Sequence, residues 1–251
     1  VQVLGHTSYS LPSHRAKAFC MGFFQKRKGF SPGNRFGRME DVTVTVAAVR
    51  SVGPDAVAIE FEAPEGFDAR PGQFVKLGAE VDGEHESRFY TISSPNVTET
   101  FDVTVEIDPE GTLGPLLADL DAGDTLTMSG PYGNAYYEDD PRVVVLAGGP
   151  GVGPAIGIAR RALNDGGEAA VVYRDDTPLH ETDLDALDAD GATVHVLGED
   201  DDMAGAVGEV VTGADGEQVF VYGFADFLDA ATSAIEAAGG DPDEAKVENF
   251  G

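Results

Sequence analysis

The sequence predicts two domains in one chain: an N-terminal six-stranded antiparallel β-barrel, then a C-terminal α/β domain with a doubly wound parallel sheet. Three observations carry that prediction. Apolar residues alternate with polar ones from Val42 onward, the pattern changes after "YYEDDP", and a glycine-rich loop separates an apolar run from a helical stretch. At 251 residues the chain is long enough for two cores, given roughly 150 residues per domain. The boundary is expected near Asp139, giving a barrel over 40–138 and an α/β domain over 139–251.

The barrel strands follow from period two. "VTVTVAAV" alternates, and "AVAIEFE" follows it across a Gly-Pro-Asp turn. "FDVTVEI" puts Phe101, Val103, Val105 and Ile107 on one face and Asp102, Thr104 and Glu106 on the other. "QFVKLG", "SRFYTI" and "DTLTMSG" complete six short strands between Gly/Pro turns, which suits a small antiparallel barrel. One helix is expected at "GPLLADL", where Pro115 sits near the first turn and its missing N–H costs nothing.

In the second half "RVVVLAGG", "AAVVY", "ATVHVLG", "QVFVYG" and "AKVENFG" are expected as strands. Helices are expected between them at "GPAIGIARRALND", "LHETDLDALDAD" and "ADFLDAATSAIEAAGG". Continuous apolar strands alternating with helices indicate a parallel sheet covered on both faces.

Composition limits the function. The chain holds 45 acidic and 16 basic residues, for a net charge of −29. Carboxylates at that density repel one another, and salt relieves the repulsion within a Debye length, so a halophilic cytoplasm is the expected setting. Nucleic acid and anionic membranes need clustered cations and are poor partners. No run approaches the ~18 apolar residues of a membrane span. The single cysteine, Cys20, leaves no iron–sulfur cluster or cysteine-ligated zinc within the chain, and the five histidines lack metal-ligand spacing and are expected as surface or strand decoration. No metal site is expected. Acidic "GEDDD" (198–202) is expected as solvated surface.

Residues 1–39 differ from the rest. They carry seven basic residues and no acidic one, leaving nine basic against 45 acidic in residues 40–251. The segment is a disordered tail, a tail docked on the acidic body, or sequence upstream of a start at Met39 or Met21. The last is favoured, because "MEDVTVTV" begins both the acidic composition and the first strand.

Two stretches carry candidate chemistry. In "AGGPGVGP" (147–154), Gly148, Gly149, Gly151 and Gly153 would let the backbone approach a pyrophosphate while N–H groups and a helix end face the anion, with Val152 and Pro154 completing G-G-x-G-x-x-P. A tight strand-to-helix turn is the plainer alternative. "RFYTISSP" (88–95) adds a permanent cation, a flat ring with a polar tip, and hydroxyls. Arg88 could equally pair with a carboxylate, and Tyr90 could be core.

The order of motifs is more specific than any one of them. R-x-Y-T (Arg88, Tyr90, Thr91), G-x-x-G before a short helix, G-P-Y-G, the G-G-x-G-x-x-P loop, a late Gly223 and terminal "ENFG" together resemble the ferredoxin–NADP reductase superfamily across residues 40–251. The resemblance implies an FAD-dependent oxidoreductase that transfers hydride between FAD and NADH or NADPH. Single electrons would pass to or from a separate carrier such as ferredoxin or flavodoxin. Alternatives are an electron-transfer subunit of a larger dehydrogenase or oxygenase, and a flavin-binding module without nicotinamide turnover.

By the same resemblance Arg88 contacts an FAD phosphate, Tyr90 packs on the isoalloxazine and Thr91 lies near flavin N5, with Ile92 and Ser93 extending the contact. Gly111, Thr112, Leu113 and Gly114 correspond to the pyrophosphate turn. Gly114 replaces the family's serine, so the hydroxyl contact is lost unless Thr112 substitutes. Tyr222 stands where family members carry a cysteine near the nicotinamide, beside Gly223, and joins Tyr90 and Thr91 as a catalytic candidate. Phe250 resembles the terminal aromatic near the flavin. In "YRDDT" Arg174 could hold a 2′-phosphate, whereas Asp176 beside Asp175 would accept from a ribose hydroxyl, which tips the expectation towards NADH.

Overall fold

A computed structural model describes residues 38–251. The expectations for residues 1–37 lie outside the described residues.

Six strands form the first sheet: β1 Met39–Gly53, β2 Ala56–Glu62, β3 Phe74–Val81, β4 Glu84–Thr91, β5 Thr100–Glu106 and β6 Thr125–Tyr132. Their order is β4-β3-β6-β1-β2-β5, with every pairing antiparallel. The two edges meet just beyond β4, where Ile92 bridges Val103 and the Ser93 N–H donates to the Asp102 carbonyl at 2.8 Å. That closure buries Val44, Ile59, Phe61, Leu77, Phe101, Val103 and Met128 inside. Helix α1, Leu113–Ala118, plugs one end with Leu113 and Leu117. The inward residues of β5 are those that sequence alternation assigns to one face.

The second half contains β7 Arg142–Gly148, α2 Val152–Asn164, β8 Glu168–Arg174, α3 Glu181–Ala189, β9 Thr193–Leu197, α4 Met203–Val210, β10 Glu217–Gly223, α5 Ala225–Ala237 and β11 Lys246–Asn249. The order β11-β10-β7-β8-β9 is parallel throughout. Alternate residues of β7 face opposite layers: Val143, Val145 and Ala147 pack with α2 and α3, and Val144 and Leu146 with α4 and α5. Helix α4 was not expected. Asp202 of the acidic "GEDDD" caps it by accepting from the Gly205 N–H at 3.0 Å, so that carboxylate has a structural task.

Helix α2 joins the halves. Alanine at Gly153 would drive its Cβ into the hydroxyls of Ser93 and Thr104, and at Gly157 the Cβ would stand 2.6 Å from the Ser93 carbonyl oxygen. A buried polar chain runs along the same seam. Ser93 Oγ lies 3.0 Å from Thr104 Oγ1, Thr104 Oγ1 lies 2.9 Å from His180 Nε2, and His180 Nδ1 lies 2.8 Å from Asp183. Arg160 and Arg50 complete it by donating to Asp183 at 2.8 and 3.2 Å. His180 is 4% exposed, which overturns the expectation of surface decoration for this histidine.

Gly157→Ala should destabilise the protein by about 1–3 kcal/mol, because the methyl meets rigid backbone. In an open helix interior the same change would stabilise by about 1 kcal/mol. Urea midpoints separate the two, and a gain would contradict the close contact.

Candidate functional site

The loops after β7, β8, β10 and β11 emerge at the carboxyl end of the parallel sheet, where such folds bind ligands. The barrel abuts that end. A pocket of about 330 Å³ lies there, walled by Arg88, Phe89, Tyr90 and Thr91 of β4, by Thr104, Glu106, Ile107 and Asp108 on and after β5, and by Pro150, Pro154, Phe224 and Phe250. Its volume is within the ~300–1,000 Å³ range of small-ligand sites.

Strand β4 supplies the barrel wall. The Arg88 guanidinium is exposed at the rim and donates to its neighbour's Ser87 carbonyl at 2.8 Å and to Glu86 at 3.3 Å. An exposed pair of this kind is worth little, so the guanidinium can be recruited by a stronger anion. The Tyr90 phenol is pushed up to about 12 by burial, against a smaller opposing effect of Arg88, and stays neutral. Phe89 is 63% exposed and meets Phe74 and Tyr132 edge-on. Ile92 and Ser93 do not reach the pocket. Ile92 is barrel core, and Ser93 is buried against Thr104, because the strand turns inward there to close the barrel.

The turn at 111–114 lies beside the pocket rather than in its wall, beyond Ile107 and Asp108. The Gly111 N–H donates to the Asp108 carbonyl at 2.9 Å, Thr112 precedes α1 without a side-chain cap, Leu113 is buried in the barrel, and Gly114 is inside the helix. Backbone donors and the exposed Thr112 side chain are what this turn can offer a ligand.

The glycine loop has a mixed role. Gly149 needs its left-handed φ of +56°, and Pro150 and Pro154 face the pocket. The remaining glycines answer close packing. A Cβ would meet the Phe227 ring at Gly148, the Tyr222 carbonyl at Gly151 and the Ser93–Thr104 hydroxyls at Gly153, while Val152 is fully buried. Gly223 is likewise pressed on Phe227.

Tyr222 is placed differently from the expectation. Its ring is fully buried, lies 6.5 Å from both Phe220 and Phe250, and its hydroxyl donates to the Ala135 carbonyl. A side chain so enclosed backs Phe250 instead of meeting a ligand. Phe250, held by its N–H on the Gly223 carbonyl at 3.1 Å, faces the pocket and meets Phe224 edge-on at 5.9 Å. Arg174 lies 5.4 Å over the Phe227 ring, and Asp176 accepts from the Glu199 N–H at 2.7 Å.

Glu106, Asp108 and Phe224 were missed as wall residues. The polar face of "FDVTVEI" was the available signal for Glu106, whose carboxyl is pushed up by burial and then by Asp175 and Asp55. A larger cavity of about 680 Å³, lined by Arg70, Gln73, Tyr136, Asp139 and Arg161 among others, touches none of the expected site residues. The fit to a flavin therefore rests on the smaller pocket, with its aromatic and proline walls for a flat ring and a cation at the rim for a phosphate tail.

Glu248, paired with Tyr222 across β10 and β11, has its carboxyl raised from 4.5 to about 7 by burial. The folded state holds this proton more tightly than the unfolded chain does. Its contribution is intact below about 4.5 and is lost as pH rises through about 7. Glu248→Gln should remove that loss, seen as a smaller drop in urea midpoint between those pH values than in the parent. An equal drop would refute the assignment.

Residues 43–137 match the family model described as the oxidoreductase FAD-binding domain. The glycine betaine monooxygenase reductase subunit of Chromohalobacter salexigens is 42% identical over 101 residues, 39% of this chain and 27% of that protein. The 3-ketosteroid-9-alpha-monooxygenase ferredoxin reductase component of Mycolicibacterium smegmatis is 30% identical over 226 residues, 82% of this chain and 64% of that one. The chain thus spans less than a third of the first relative's length. A ferredoxin NADP+ reductase from Neisseria gonorrhoeae, solved with bound FAD and NADP, superposes with a TM-score of 0.69 at 16% identity, covering 85% of this chain and all of that one. Residues 43–137 thus match an oxidoreductase FAD-binding domain, and the barrel followed by a parallel sheet is the fold of that solved reductase.

Proposed function

We propose that the chain is an FAD-dependent oxidoreductase that takes hydride from NADH or NADPH and passes electrons singly to a separate carrier, a ferredoxin, flavodoxin or similar protein. The observation that carries this reading is the pocket itself. It brings Arg88, Tyr90 and Thr91 of the barrel against Pro150, Pro154 and Phe250 of the parallel-sheet half, so one site can hold a ring from each of two cofactors. Bound FAD would supply the redox chemistry, since a flavin takes up two electrons together and releases them one at a time.

The protein's own residues bind, orient and exclude. Arg88 would hold the phosphate tail, joined by backbone donors around Gly111 to Gly114. Tyr90, neutral across the working pH range, would lie flat on the ring, and Thr91 would offer its hydroxyl beside it. Phe224 and Phe250 shield the mouth from water. NADH is the preferred donor in this reading. Arg174 is engaged with Phe227, while Asp175 and Asp176 present carboxylates that repel a 2′-phosphate.

A second reading, that the chain feeds a partner oxygenase, is favoured by the relatives named as monooxygenase reductase components. A salt-rich cytoplasm is the location that the net charge of −29 supports.

Purified protein should carry a flavin absorbance that bleaches anaerobically with NADH, and more slowly with NADPH. Failure with both would sink the reductase reading, and faster bleaching with NADPH would reverse the assigned preference. Arg88→Ala should weaken FAD about tenfold or more in a fluorescence titration, the scale of one charge-assisted hydrogen bond. Unchanged affinity would return Arg88 to its partnership with Glu86.

A further inference from the structure

Two cavities approach each other across the seam between the barrel and the parallel sheet. The cofactor pocket reaches Thr104 on β5. A separate cavity of about 250 Å³, lined by Arg50, Gly53, Pro178, His180 and Asp183 among others, reaches His180 from the side where the Arg50 side chain is half exposed. Between them stand only side chains that are hydrogen-bonded to one another: Asp183 to His180 at 2.8 Å, then His180 to Thr104 at 2.9 Å.

The direction of these bonds can be deduced. The bond from His180, followed by those from Arg160 and Arg50, holds the Asp183 carboxyl well below the usual carboxylate range, so Asp183 is an acceptor only. His180 Nδ1 must therefore carry a proton. With Nδ1 committed, Nε2 accepts from the Thr104 hydroxyl when the ring is neutral and donates to Thr104 Oγ1 when the ring is cationic. The charge state of His180 thus decides whether the Thr104 proton points to the histidine or is free to point elsewhere. The His180 ring lies among charged groups. Asp183 and Glu181 face it from α3, and Asp102 of β5, neighboured by Glu60 of β2, supplies further negative charge, against Arg50 of β1 and Arg160 of α2. The ring is also fixed in place. His180 has a left-handed φ of +56°, and its N–H donates to the Val52 carbonyl at 2.7 Å.

We propose that His180 and Thr104 form a proton path from the cavity beside Arg50 to the cofactor pocket, with Asp183 and His180 as positioning residues and Thr104 as the group that releases the proton. The inference rests on the flavin reading of the pocket. Bound flavin would take up a hydride together with one further proton, and these residues would deliver that proton. In the balanced step the His180 Nε2–H bond breaks, an O–H bond forms on Thr104, and the proton previously on Thr104 leaves into the pocket. His180 ends neutral, Asp183 stays ionised, and a solvent acid in the outer cavity reprotonates Nε2. Ser93, 3.0 Å from Thr104, can take either hydroxyl role and follows whichever direction Thr104 adopts.

The test uses the flavin-loaded full chain. Anaerobic reduction by NADH, followed by stopped flow in H2O and D2O, should show a solvent isotope effect above two. Thr104→Val should slow the solvent-sensitive step roughly tenfold or more and remove the isotope effect, while Thr104→Ser should restore both. Independently of turnover, 15N NMR of the parent protein should show the proton of the neutral His180 ring on Nδ1, with Nε2 as the hydrogen-bonded acceptor, a pattern that Thr104→Val alters. Normal bleaching with no isotope effect, a Thr104→Val protein with the parent rate and isotope effect, or a neutral His180 ring with its proton on Nε2 would each overturn the path while leaving the reductase reading intact. No bleaching with either nucleotide would overturn both. Should Thr104→Val fail to fold, the isotope effect and the NMR spectrum of the parent protein decide.

Discussion

The close approach of helix α2 to the barrel is the constraint on which the rest depends. A helix axis can lie that near another element's backbone only where side chains are missing, and α2 has glycine at 153 and 157 where it crosses Ser93 and Thr104. That contact sets the distance between the two halves and so the width of the pocket between β4 and the loops of the parallel sheet. It also forces a solution for Ser93 and Thr104, whose hydroxyls are largely buried. They satisfy each other, and His180 satisfies Thr104 from the far side. One packing requirement therefore produces both the site's shape and the polar chain behind it.

The same requirement explains what was and was not legible in the sequence. The six barrel strands were visible because inside and outside alternate at each step, and Phe101, Val103 and Val105 point where alternation puts them. The parallel strands were visible because both faces are covered. Helix α4 was not, since Met203–Val210 is short, includes Gly205 and Gly208 and shows no clear polar face. Arg88, Tyr90 and Thr91 do share one pocket, because they lie on one strand and local order survives folding. Tyr222 was misplaced because resemblance fixes a position along the chain and not the direction in which a larger side chain must turn to be buried. The glycines of 147–154 were read as anion access or a tight strand-to-helix turn, and three of them also pack against partners that local sequence cannot reveal. His180 was invisible for that reason too: its bond to Thr104 spans 76 residues.

Charge gives the last constraint. In a chain with nearly three carboxylates for each cation, an arginine need not search for a partner, so where it is held matters more than that it is paired. Arg142 ties three elements by donating to Glu217, Glu168 and the Val210 carbonyl, with its side chain 25% exposed. Arg160 and Arg50 converge on Asp183 at the seam. Lys246 anchors the last strand to the connection between the sheets, through the Tyr136 carbonyl and Glu138. These cations are committed by partly buried, multiple contacts, the arrangement in which charge-assisted bonds contribute most. Arg88 differs: its side chain is 59% exposed, its acidic partner lies two residues away on its own strand, and it stands at the rim of the pocket. Breaking so weak a pair costs little, and the polyanionic surface around it raises the value of a cation to any phosphate that must come near. Scarcity of positive charge thus makes the site electrostatically distinct from the surface that surrounds it.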